Sequence, residues 1–180
     1  MDVSPTQASR MDVSIDARLA QLGIDLPHVA APAGAYAPAV RSGQYIYTSG
    51  QLPLVNGALP VVGHVGHVGS SEGSEASEAG EGLVTWQQAA QLARLCALNA
   101  LAAVKSVHGS LDGLAIVKVV GFVASRPDFT QQADVLNGAS HVIHDIFGHR
   151  GVHARSAVGV AVLPLNSPIE VELIAQVLGL

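Results

Sequence analysis

Apolar residues recur along this chain with two different periods, and the switches between them mark its elements. Ser14 stands as an N-cap before a short helical segment through Leu22, and Gly23 is its stop. Residues 24–35 are rich in Pro, Ala and Gly and read as an extended loop. The stretch from Val40 to Gln51 follows, with Tyr45-Ile46-Tyr47-Thr48-Ser49 as a strand of β-formers. Asn56-Gly57, between Leu52-Pro53-Leu54-Val55 and Leu59-Pro60-Val61-Val62, predicts a hairpin turn. Residues 63–82 are dominated by Gly, Ser and Glu and read as a low-complexity, mobile surface loop.

The period then becomes helical. Thr85 and Gln88 have capping-box spacing, small and apolar residues recur from Ala89 to Val104, and Gly109 ends the helix. Leu114 to Ala124 is a run of β-formers. Asp128 and Gln131 repeat the capping spacing ahead of a second stripe, Val135, Ala139, Val142, Ile143 and Ile146, which Gly148 stops. Two strands close the chain, His153 to Pro164 and Ile169 to Ala175. This order predicts an α+β layer, a mixed sheet with both long helices packed on one face. The other face would stay apolar and uncovered. By alternation Ala157, Gly159 and Ala161 share the side of Arg155. Placed on the uncovered face, such small residues let another sheet approach and predict a symmetric oligomer.

At 180 residues the chain has the length of one domain. Hydrophobic residues make up 49% and charged ones 13%, an apolar balance with an excess of Ala and Val that also favours burial in an oligomer. A net charge of −5 argues against nucleic-acid binding, since no basic patch neutralises phosphates. No apolar run is long enough for a bilayer, and Met1-Asp2-Val3-Ser4 is polar and acidic, unlike a secretory signal. That tetrapeptide recurs at Met11, so Met1 and Met11 are alternative starts, and residues 1–12 are expected to be a disordered extension of a domain spanning 13–180. The single Cys96 forms no internal disulfide. A cytoplasmic location fits these features.

The chemistry concentrates in the closing strands. Arg155 heads an otherwise uncharged strand and Glu170 opens the next. Two readings of Arg155 stand open: a planar fork that grips a substrate carboxylate, or an interface salt bridge to Glu170 or Glu172. Glu170 and Glu172 share one strand face, where one carboxylate could hold or deprotonate a water. Tyr36, on a Gly/Pro loop, is placed to cap a pocket or to be an ordinary surface aromatic. His64 with His67, and His141 with His144, lack a third ligand at metal-site spacing, so no metal is expected. Outside the low-complexity segment 63–82 no Gly-x-Ser-x-Gly string occurs, and no phosphate-binding glycine fingerprint is present.

Several segments together resemble the RidA family, also called YjgF or endoribonuclease L-PSP. They are Tyr36-x-x-Ala39-Val40, Tyr47-Thr48-Ser49-Gly50-Gln51-Leu52-Pro53, Asn99-x-Leu101, Phe122-Val123, Asn137, Ala154-Arg155-Ser156-Ala157-Val158-Gly159-Val160 with Leu163-Pro164, and Ile169-Glu170-Val171-Glu172. The resemblance spans roughly residues 15–178. It implies a fold like that of the bacillar chorismate mutase: a homotrimer with a central β-barrel, helices outside and active sites in clefts between subunits. It implies hydrolysis of reactive 2-imino or 2-enamino acids, of the 2-aminoacrylate type, to 2-keto acids and ammonia without a cofactor. It implies that Arg155 grips the carboxylate and Glu170 positions the water. Tyr36, Ser49, Gly50, Ala157 and Asn137 would line the substrate site. The sequence departs from the family in three places. Ala157 stands where deaminases of the family commonly have Cys, Gly34-Ala35-Tyr36 replaces Gly-Pro-Tyr, and segment 63–82 is longer. With the N-terminal helix and the Asn137-Gly138-Ala139-Ser140 run, these mark a divergent branch. A non-catalytic trimer that binds small carboxylates is the alternative, and ribonuclease activity a third reading. No nucleic-acid or membrane partner is expected.

Overall fold

A computed structural model describes residues 14–29, 34–67 and 82–179. The expected disorder of residues 1–12 and the body of the 63–82 loop lie outside these described residues. Helix α1, Ile15–Leu22, starts where Ser14 accepts a bond from the Ala17 N–H and stops at Gly23 in the left-handed region, φ 64°. Its Ile15 and Leu19 are buried in the core. Helix α2, Trp86–His108, opens on the Thr85–Gln88 capping box in both directions and ends at Gly109. Helix α3 spans Gln132–Phe147. Among the described residues no helix is long and apolar enough to cross a membrane.

Strands β1 (Ala39–Ser42), β2 (Tyr45–Thr48), β5 (Leu114–Ala124), β6 (Ala154–Val160) and β7 (Ile169–Val177) form a sheet of order β1-β2-β7-β5-β6. Only the β5–β6 pairing is parallel, as expected when α3 supplies the crossover between them. Helices α2 and α3 pack on each other and on one face of this sheet. Gly138 makes that helix pairing possible: a β-carbon there would strike the Ala90 carbonyl of α2. The buried apolar residues of the helices join Ile46, Val119, Val123, Val171, Leu173 and Ala175 in one core.

The structure corrects four expectations. The Asn56-Gly57 turn exists, with φ 51° and 81°, but carries only an isolated Val55–Ala58 bridge instead of two strands. Pro53 and Pro60 lack the N–H groups a ladder needs. The start of the 63–82 segment is packed and not loose: β3 (His64–Val65) pairs in parallel with β4 (Leu83–Val84), which lies just past the segment's end, and Val65 and Val84 are buried. The Asp128–Gln131 spacing is not a cap. Gln131 is the cap residue and makes no side-chain bond, because Arg126–Phe129 is a turn that sinks Phe129 into the core.

The fourth correction concerns faces. In the β5–β6 register Arg155, Ala157 and Gly159 lie beside Val119, Gly121 and Val123. Val119 and Val123 are core residues, and Gly121 leaves room for Leu136 of α3. Arg155, Ala157 and Gly159 therefore face the helices and not the bare side. Ala161 lies beyond β6. The uncovered face is built from the other set: Val40, Tyr45, Tyr47, Val120, Phe122, Val158 and Ile174, with Glu170 and Glu172 among them. Val40, Tyr45, Tyr47 and Val158 are all exposed in the single chain.

Candidate active site

Two groups of residues form, one on each face of the sheet. The first is built by an irregularity between β2 and β7. Tyr47 pairs with Ile174 and Gln51 bridges to Val171, so four steps along one strand oppose three along the other. The extra residue makes a bulge. The Thr48 hydroxyl repairs the ladder by accepting the Leu173 N–H at 2.9 Å. Gln51 resumes the pairing, its N–H donating to the Val171 carbonyl at 2.8 Å. Asn99 of α2 holds the continuing chain through the Leu52 and Leu54 carbonyls.

Ser49 and Gly50 thus stand clear of the sheet. The Ser49 hydroxyl donates to the Ala37 carbonyl at 2.7 Å and its N–H to Pro38 at 2.9 Å, which ties the Tyr36 loop to this corner. Tyr36 itself is half-exposed, its ring lying against Gly34. Gly50 lies directly on the Glu170 carboxylate, where a β-carbon would collide with it. Burial, and next the neighbouring Glu172 charge, push the Glu170 carboxyl above its ordinary value of 4.5. Gly50 and Glu170 meet at this corner, and Ser49 bonds to the loop that carries Tyr36.

The second group lies between β6 and α3. Arg155 Nη1 donates to Asn137 Oδ1 at 2.9 Å and to Ser140 Oγ at 3.1 Å, and Nη2 donates to the Ala133 carbonyl at 3.2 Å. The sole ion pair among the described residues joins Lys105 to Asp16, so neither Glu170 nor Glu172 bridges to Arg155 within the chain. Ala157 packs its methyl against the core beside this group.

The expected single constellation is therefore divided. Phe122 pairs with Glu170 on one side and Val158 on the other, which sets Glu170 on the bare face while Arg155 points to the helices. Within one protomer the sheet separates them. Two residues of the Arg155 group were missed from the sequence, Ser140 and His153. The signal was available: Ser140 is three residues after Asn137 and so on the same helical face, and His153 is two residues before Arg155 on the same side of the strand.

The four histidines singled out by spacing do not gather at one point, although His141 and His144 border the cleft of Ser140, His153 and Arg155. His64 Nε2 bonds to the Ala161 carbonyl at 2.7 Å, His67 packs on Phe129, and His141 and His144 are exposed on α3. Among the described residues no three His, Cys, Asp or Glu side chains converge on a point.

The family model described as "YjgF/chorismate_mutase-like, putative endoribonuclease" matches residues 16–177. Protein TCP17 of Trypanosoma cruzi is 41% identical over 164 residues, covering 90% of this chain and 93% of that one. Protein Atu1372 of Agrobacterium tumefaciens, of unknown function, is 39% identical with a TM-score of 0.74, covering 91% and 92%. A "putative endoribonuclease" of Shewanella oneidensis is 30% identical with a TM-score of 0.79, covering 92% of this chain and all of that one (100%). Both the sequence motifs and the α+β fold agree with these matches, and the chain belongs to the YjgF family, the family also called RidA or endoribonuclease L-PSP.

Proposed function

We propose that the protein is a deaminase that hydrolyses 2-imino or 2-enamino acids to 2-keto acids and ammonia. The observation that carries this reading is the state of Arg155. Its guanidinium has five N–H donors, of which three are held by the neutral acceptors Asn137, Ser140 and Ala133. Two donors and the full positive charge remain, with no carboxylate partner among the described residues. That is the requirement of one bidentate carboxylate.

In this reading the substrate carboxylate fixes the imine over Arg155, and a water attacks the electrophilic imine carbon. Glu170 takes the water proton, and its raised carboxyl affinity suits it to pass that proton to the departing nitrogen. The C–O bond forms to give a carbinolamine, whose hydroxyl then yields its proton to the nitrogen as the C–N bond breaks, leaving the 2-keto acid and ammonia without any cofactor. Because Arg155 and Glu170 lie on opposite faces, the site needs Arg155, Asn137 and Ala157 from one protomer and Glu170, Gly50, Ser49 and Tyr36 from its neighbour. A homotrimer closed around a central β-barrel would supply that cleft and would cover the exposed Tyr45, Tyr47 and Val158. The buried free thiol of Cys96 is compatible with a cytoplasmic protein.

The test traps imines released by an amino-acid oxidase. Purified protein should shorten their lifetime for several amino acids. Equal rates for the wild type and Arg155→Ala would overturn the reading.

One observation favours a second reading, a carboxylate-binding trimer without turnover. The Arg155 fork is complete without Glu170 and would bind a 2-keto acid by itself. Saturable pyruvate binding with no imine hydrolysis would select it.

A further inference from the structure

His153 and Ser140 connect to Arg155 through a chain of hydrogen bonds whose directions can be worked out. His153 Nδ1 lies 2.6 Å from the Gly151 carbonyl. A carbonyl only accepts, so Nδ1 carries the proton. In the neutral ring Nε2 is then an acceptor, and its partner at 3.0 Å is the Ser140 hydroxyl. The Ser140 proton is thereby committed to His153. Its lone pairs are left facing Arg155 Nη1, which donates to Ser140 Oγ at 3.1 Å.

The ring's surroundings favour that neutral form. Burial lowers the affinity of His153 for a second proton. The Gly151 bond opposes this, and the Arg155 charge reinforces it, leaving the group below its ordinary value of 6.5. Gly151 itself is buried and can carry no β-carbon, since one would press on the Ile143 carbonyl of α3. The acceptor that fixes the imidazole is therefore a backbone group locked against the helix.

We propose that Ser140 and His153 are positioning residues, which hold the guanidinium of Arg155 in the orientation that receives a substrate carboxylate. The proposal rests on the carboxylate-binding role of Arg155 given above. Asn137 and Ala133 fix two points of the fork, and the Ser140–His153 pair supplies the third. A planar group bonded at three points cannot tilt about its Cδ–Nε bond or slide along the helix. Without Ser140 the Nη1 group keeps one acceptor and the plane is free to tilt. Without the His153 acceptor the Ser140 proton is free to turn toward Arg155, and the lone pair is lost.

The experiment uses the full chain with pyruvate as probe, comparing wild type with Ser140→Ala, Ser140→Thr, His153→Phe, His153→Gln and Arg155→Ala. Nitrogen-15 spectra near neutral pH should show His153 protonated at Nδ1 and bare at Nε2. The Nε2 resonance should move in Ser140→Ala. Ser140→Ala and His153→Phe should weaken pyruvate binding about tenfold, as for the loss of a bond to a charged group. They should raise KM for imino acids similarly while largely keeping kcat, because Arg155 grips ground state and transition state alike. Ser140→Thr restores the hydroxyl, and His153→Gln restores an acceptor. Both should bind within about twofold of wild type. A merely structural role would lower stability without this split or this rescue. If Arg155→Ala loses pyruvate while Ser140→Ala and His153→Phe keep it, or if His153 is protonated at Nε2 only, the positioning role is wrong and the carboxylate role stands. If Arg155→Ala also keeps wild-type affinity, the carboxylate role falls and takes this proposal with it.

Discussion

Gly50 and Glu170 compete for one volume: the carboxylate of Glu170 lies where a β-carbon on residue 50 would stand. The φ of Gly50 is not positive, so alanine meets no backbone strain there. Gly50→Ala should displace Glu170 and little else. Imine hydrolysis is expected to fall at least about tenfold, with the melting temperature changed by only a few degrees. Adding Glu170→Ala to Gly50→Ala should cost no further activity, since both act on one group.

Because the sheet separates Arg155 from Glu170, variants impaired on either side should complement one another at substrate concentrations well below KM. Mixed and reassembled Arg155→Ala and Glu170→Ala chains are expected to recover about a quarter of wild-type activity, the random share of clefts holding both residues in a heterologous ring. Size-exclusion chromatography with light scattering should show a trimer. Val158→Asp, on the bare face, should shift it toward monomer and abolish activity together.

Glu170 gives stability a defined pH dependence. Its carboxyl is raised in the folded chain, first by burial and then by Glu172, so the folded state holds this proton more tightly than the unfolded state does. Stability should therefore fall as pH rises from the ordinary value of 4.5 through the raised folded value. Glu170→Gln keeps the shape without the charge. It is expected to flatten that slope and to melt higher than wild type at neutral pH, as a pH series of thermal scans would show. Activity should have the opposite trend, rising with pH as the base ionises.

Gly138→Ala tests the helix pairing. The obstacle is the backbone carbonyl of Ala90, which has no rotamer to yield. The expected loss is roughly 1–3 kcal/mol by urea denaturation, against the small gain alanine gives a helix interior.

Local signals in the sequence were legible where one residue's chemistry decides the outcome. Ser14, Gly23, Thr85, Gln88 and Gly109 bound their helices as their capping chemistry requires. The motif residues Thr48 to Gln51 and Arg155 to Ala157 identified the family. Orientation was less legible. Alternation along β6 says that Arg155, Ala157 and Gly159 share a face, but not which face, and only the pairing with β5 decides that. The Asp128–Gln131 spacing failed because burying Phe129 outweighed a cap. The Asn56-Gly57 turn formed without its hairpin because two prolines interrupt the flanking strands.

The bulge at Ser49 and Gly50 also sets an order of events during synthesis. Its backbone partners, Val171 and Leu173, follow some 120 residues later, since Gln51 and Val171 differ by that number in sequence. At typical ribosomal rates that is roughly ten seconds of elongation. Throughout this interval β2 has its partner β1 but no third strand. Helices α2 and α3 can condense meanwhile from local contacts, but the corner holding Glu170 cannot. The corner that holds Glu170 is thus among the last parts to be assembled, and a nascent chain stalled before β7 would carry folded helices but lack this carboxylate.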